Sequence, residues 1–161
     1  MTRDGERLNP LPSEVLVRLA TSSDLAALDA LVEQSFRRLG AVHYAPAQID
    51  LALGSAIRVD RGLVGDGTSF AAGMAGELVG CGGWSAKIAT AADALLPSPR
   101  AEVRAMFVAP QHARRGVGRA LLRAAEAAIA RAGFTVAYLL ATRLLRASRL
   151  HGAERASHHA R

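Results

Sequence analysis

A chain of 161 residues is long enough to bury one full core and suits a single domain. Half of its residues are hydrophobic and 4% aromatic, and no run of 18 apolar residues occurs, which argues against both a disordered chain and a membrane span. The net charge of +6 is uneven: residues 100–161 carry twelve arginines against three glutamates (+9), and residues 1–99 stand at −3.

Such asymmetry can mark a nucleic-acid partner, but no aromatic residues interleave with the basic run, so no stacking platform for single strands is expected. Met1-Thr2-Arg3-Asp4-Gly5 opens without an apolar signal core, which points to the cytoplasm. Cys81 is the only cysteine, so neither an internal disulfide nor a cysteine metal cluster can form. Its apolar flanks suit packing rather than reactivity, and no metal is expected.

In chain order, Val15–Leu19 predicts a first strand. Thr21-Ser22-Ser23-Asp24 offers N-caps for a helix whose Leu25, Leu28, Leu31, Val32 and Phe36 recur at helical spacing and which fades near Gly40. Ala45-Pro46 opens a weaker helix ending near Gly54. A glycine-rich loop (Gly62, Gly65, Gly67) leads to a strand over 69–75, a tight turn at Gly76-Glu77, and a partner strand over 78–84.

Residues 86–100, with Pro97 and Pro99, read as a loop. A strand over 102–108 follows, closed by Pro110. After Gly116 a helix gathers Val117, Leu121, Ala124, Ala125 and Ala128 on one face, with Arg119, Arg123 and Glu126 opposite. Gly133 stands at its C′ position, and the apolar run 134–141 predicts a buried strand. The order β-α-α-β-β-β-α-β gives an α/β domain (α+β, mixed sheet) over residues 1–142, followed by a basic tail, 143–161.

The most informative stretch is 108–130, VAPQHARRGVGRALLRAAEAAIA. A helix N-terminus presents unpaired N–H groups and partial positive charge, glycines at 116 and 118 permit close approach, and Arg114, Arg115 and Arg119 add cationic charge. An anion site is the functional reading; a plain strand–helix turn is the bland one. Of two nucleotide readings, the Walker-type one fails on the letters and the dinucleotide one is weak. There is no G-x-x-x-x-G-K-[ST], since the only lysine is Lys87, and Leu121 stands where a dinucleotide fingerprint needs its third glycine.

The longer segment AEVRAMFVAPQHARRGVGRALLRAAEAAIARAGF resembles the acetyl-CoA-binding segment of the GNAT superfamily of N-acetyltransferases. VRLATSSDLAALDALVEQSF is similar to that family's first strand and helix, and GMAGELVGCGGW to its central hairpin, so the resemblance spans residues 15–142. It implies a GNAT-like acyl-CoA N-acyltransferase fold in which strands 102–108 and 134–141 splay to admit the pantetheine arm. Backbone groups of Met106, Phe107 and Val108 would then orient the thioester. Amides across Arg114, Arg115, Gly116, Val117, Gly118 and Arg119 would hold the pyrophosphate. Ala113 departs from the first position of the family's [Q/R]-x-x-G-x-[G/A].

The activity implied is transfer of acetyl from acetyl-CoA to a primary amine of a small molecule or peptide. Glu102 is the candidate base, its bland alternative being an exposed strand-end carboxylate paired with Arg100 or Arg104. Trp84 and Ser85, with Phe36, His43 and Tyr44, are candidates for the acceptor pocket; core packing is the alternative for Trp84 and Phe36, and a surface role for His43. The resemblance stops at the tail RLLRASRLHGAERASHHAR, which lacks the family's tyrosine. Three readings follow: His151 acts as the acid, the thiolate leaves unaided, or the end is truncated or frame-shifted. The third leaves an exposed fifth-strand edge that a second subunit could cover, a possible homodimer. A catalytically impaired acyl-CoA-binding domain is the alternative function.

Overall fold

A computed structural model describes residues 14–55, 57–86 and 100–139. Four strands form an antiparallel meander: β1 (Leu16–Leu19), β2 (Ser69–Met74), β3 (Glu77–Ser85) and β4 (Ala101–Val108). β5 (Ala137–Leu139) adds to β4 in parallel, so the sheet is mixed, in the order β1-β2-β3-β4-β5. The helices are α1 (Leu25–Gly40), α2 (Pro46–Ser55), α3 (Arg61–Gly65) and α4 (Val117–Arg131).

Two apolar layers sandwich the sheet. On one side Val117, Leu121, Ala125 and Ile129 of α4 pack on Phe70, Ala72, Val79, Ala101 and Val103. On the other, Leu28, Leu31 and Val32 of α1 pack on Ala71 and Cys81. Helices on both faces explain why β2 is buried at nearly every position instead of alternating. Close approach of α4 requires Gly80, where a Cβ would stand 2.7 Å from Val117 Cγ1.

Local chemistry sets the ends of the elements. α1 follows a short 3₁₀ turn in which Asp24 Oδ2 accepts from the Thr21 N–H (2.8 Å) while its carboxylate pairs with Arg18 (2.7 Å). α4 closes in a Schellman arrangement: Gly133 N–H donates to Ala130 O and Phe134 N–H to Ile129 O, with Gly133 at φ +88°. That is the role expected for Gly133. The α4 stripe is also as expected, with Ile129 joining it and Ala124 and Ala128 half-buried at its edge.

Three local expectations shift. The glycine-rich loop contains α3, because Asp60 caps it by accepting from Leu63 N–H (3.2 Å) and Leu63 is buried, which outweighs Gly62 and Gly65. The hairpin turn lies at Ala75-Gly76, both at positive φ (51° and 82°) as a type I′ turn demands, and Glu77 already belongs to β3. β5 begins at Ala137 rather than 134, since residues 133–134 complete the helix cap. Leu140 and Ala141 of the expected strand, residues 87–99 of the expected loop, and the tail with His151 lie outside the described residues.

Candidate active site

The site is built around β4. Gly80 pairs with Val108 and Cys81 with Phe107, but Gly83 pairs with Arg104, so Gly82 alone faces two residues, Ala105 and Met106. This is a β-bulge, and Ala105 adopts φ +57° within it. The extra residue resets the alternation: Ala101 and Val103 face α4 before it, Met106 and Val108 after it. The Met106 side chain fills the space above Gly82 that a Cβ there would need.

β5 covers only residues 101–103 of β4. From Arg104 to Val108 the outer edge of β4 therefore has no strand partner among the described residues, and its backbone groups are available to an extended ligand. At the end of the strand, Ala109 N–H donates to Val79 O (2.9 Å), and a 3₁₀ turn spans Pro110–His112.

The chain then turns through Arg114 (φ +63°) and Gly116 (φ +86°) into α4. Among the described residues no side chain caps α4, whose N-cap is Gly116, so the N–H groups of Val117, Gly118 and Arg119 and the positive end of the helix dipole are available to an anion. Arg114, Arg115 and Arg119 are exposed around this mouth. An ideal Cβ on Gly118 would lie 3.9 Å from Val108 Cγ2, so the first turn of α4 stands beside the open end of β4.

The geometry thus joins a strand edge without a partner among the described residues to a basic helix mouth that follows a glycine N-cap. Residues 43–153 match the acetyltransferase (GNAT) family. The chain belongs to the GNAT family.

Solved structures share the fold of this acetyltransferase. PaiA N-acetyltransferase from Thermoplasma acidophilum, in complex with coenzyme A, aligns at TM-score 0.64 and 16% identity over 83% of this chain and 82% of its own. A GNAT family acetyltransferase from Brucella melitensis, in complex with acetyl-CoA, aligns at 0.56 and 19%, covering 80% and 77%. A GCN5-related N-acetyltransferase from Ralstonia eutropha JMP134 aligns at 0.57 and 24%, covering 81% and 86%. No curated protein matches the chain.

Elsewhere in this GNAT domain, Glu102 sits in the doubly paired part of β4, with Ser85 and Tyr138 as cross-strand neighbours. It is 2% exposed and pairs with buried Arg100 (Nε–Oε1 3.5 Å), while Oε2 has no hydrogen-bond partner among the described residues. It is a buried carboxylate, not an exposed strand-end one, and Arg104 turns instead to Asp60 (3.1 Å).

The acceptor candidates divide between the sheet faces. Ser85 is buried on the Glu102 face. Trp84 lies on the opposite face, edge-on to Phe134 with centroids 6.0 Å apart, within the α4 core. Phe36 and Tyr44 stack on one another (6.3 Å) where α1 gives way to α2, and His43 is exposed. Burial pushes the Cys81 thiol up to about 12, in keeping with packing.

One site residue escaped the sequence reading. The His112 side chain is 12% exposed and lies between the Glu77 carboxylate (Nε2–Oε2 3.4 Å) and the Arg115 guanidinium (Nδ1–Nη1 3.5 Å). The available signal was a histidine just before a basic loop, but its glutamate partner is remote in sequence. Among the described residues no helix is long and apolar enough to cross a membrane, and no group of three or more His, Cys, Asp or Glu side chains could hold a metal.

Proposed function

We propose that the enzyme transfers acetyl from acetyl-CoA to a primary amine of a small molecule or peptide by direct attack. The observation that carries this reading is the juxtaposition of the outer edge of β4 and the mouth of α4, neither of which has a partner or cap among the described residues. An elongated ligand ending in phosphates fits that pair of features. Amides and arginines over 114–119 suit the pyrophosphate, and backbone groups of Met106, Phe107 and Val108 suit an extended arm.

Acetyl-CoA supplies an activated acetyl thioester. The chain's own groups do the rest. Glu102, whose buried Oε2 has no hydrogen-bond partner among the described residues, takes the proton the amine must lose before attacking, directly or through a water. Backbone N–H groups on the free edge of β4 stabilise the oxyanion that develops on the thioester carbonyl. The departing thiolate has a pKa of about 8.5 and can leave without an assigned acid. Ser85, on the face of Glu102, and the Phe36–Tyr44 stack contribute the acceptor side; Trp84 contributes through the core beneath it.

Calorimetric titration of acetyl-CoA into the purified chain, followed by an amine panel, tests the reading. Binding and an acetylated product are expected; absence of binding overturns it. Binding without turnover on any amine favours the alternative, an acyl-CoA-binding domain impaired in catalysis. Exposed Val136 and Leu139 beside and on β5 also support a homodimer closed along that edge, which a monomeric mass in solution would exclude.

A further inference from the structure

The inference concerns Glu77, His112 and Arg115, and it rests on the reading of the α4 mouth as the phosphate site. A guanidinium carries only donors, so the ring nitrogen facing Arg115, Nδ1, acts as the acceptor. The neutral ring then carries its hydrogen on Nε2, which faces the carboxylate acceptor of Glu77. Donation runs one way, from Arg115 to His112 to Glu77, and a single tautomer satisfies both contacts.

The main chain that carries the ring is itself held. His112 N–H donates to Ala109 O (2.8 Å), and Ala109 N–H to Val79 O (2.9 Å), tying the turn to β3. Glu77 begins that same strand. The hairpin thus reaches across to an exposed arginine that has no other side-chain partner among the described residues.

We infer that His112 is a positioning residue for donor binding: anchored by Glu77, it fixes Arg115 at the rim of the α4 mouth before the phosphates arrive. An arginine already ordered loses less side-chain freedom on binding, a saving that corresponds to about threefold to tenfold in affinity. His112 touches neither the thioester nor the amine, so its contribution belongs to KM and not to kcat.

The test is a double-mutant cycle on the full chain, read as Kd and KM for acetyl-CoA, with S-acetylpantetheine as a donor that has the thioester and arm but no pyrophosphate. His112→Ala is expected to weaken acetyl-CoA about threefold to tenfold at unchanged kcat, to add nothing in an Arg115→Ala background, and to leave S-acetylpantetheine turnover unchanged. His112→Gln, which keeps one donor and one acceptor, restores most of the loss. Glu77→Gln, at an exposed position that tolerates change, weakens acetyl-CoA about twofold and guards against a misfolded His112 variant.

Additive losses in the cycle, or an equal loss with S-acetylpantetheine, would show a merely structural role and overturn the inference. Unchanged acetyl-CoA affinity in His112→Ala overturns it alone. Failure of the parent to bind acetyl-CoA overturns the phosphate site and this inference together.

Discussion

The two halves of β4 are built on opposite principles. Before the bulge, residues 102 and 103 are paired on both edges, and the buried charge of Glu102 lies there beside Arg100, which immediately precedes the strand. From the bulge on, residues 105–108 have one bare edge among the described residues and run into exposed arginines. The first half holds the Glu102 side chain in a buried, doubly paired position; the second leaves main chain without a strand partner among the described residues. Substitutions in the first half should therefore cost stability and rate together, and those around the second should cost binding with the fold intact.

The largest effect expected is at Glu102. Glu102→Ala breaks a buried pair and should lower stability by about 3–5 kcal/mol, while Glu102→Gln should reduce kcat about 100-fold or more and preserve the packing. Thermal melting and steady-state kinetics on both variants separate the two terms. A Glu102→Gln enzyme of normal kcat would remove Glu102 from the mechanism and blur the contrast.

Gly118→Glu probes the other half. Its Cβ fits, so melting should stay within about 0.5 kcal/mol of the parent, but a carboxylate at the helix mouth should weaken acetyl-CoA by about 100-fold or more by calorimetry. At the joint, Ala105→Val places a β-branched side chain at φ +57° and should cost about 1–3 kcal/mol in denaturant unfolding.

The smallest effect lies far from β4. The Arg18 guanidinium, helped by the Thr21 N–H, holds the Asp24 carboxyl well below the usual carboxylate range. Because the folded value is depressed, its contribution is complete above the unfolded value of about 4 and fades as pH falls toward the folded one. Asp24→Asn should cost about 1 kcal/mol at neutral pH and flatten acid unfolding below about pH 4, with acetyl-CoA affinity unchanged.

Where pattern and neighbourhood are local, the sequence was a good guide. The α1 and α4 stripes, the cap at Gly133 and the strand before Pro110 follow from periodicity and from residues a few positions apart. What depended on distant partners was hidden. The bulge sits on an alanine, which bears no mark of positive φ. Glu102 is buried by strands that meet only in the sheet, and α3 depends on Asp60 capping a glycine-rich stretch. His112 acquires its role only when β3 brings Glu77 alongside.

The bulge at Ala105 also bears on how such a strand can change over generations. A strand without it transmits every one-residue insertion or deletion along its whole length, turning each later side chain to the wrong face. A strand already carrying an unpaired residue has a joint where a length change on one side can be absorbed. On the roles proposed above, the stretch bearing Glu102 can thus be reshaped for a new acceptor while Met106, Phe107 and Val108 keep their orientation, so that a lineage can exchange one partner of the reaction and inherit the other.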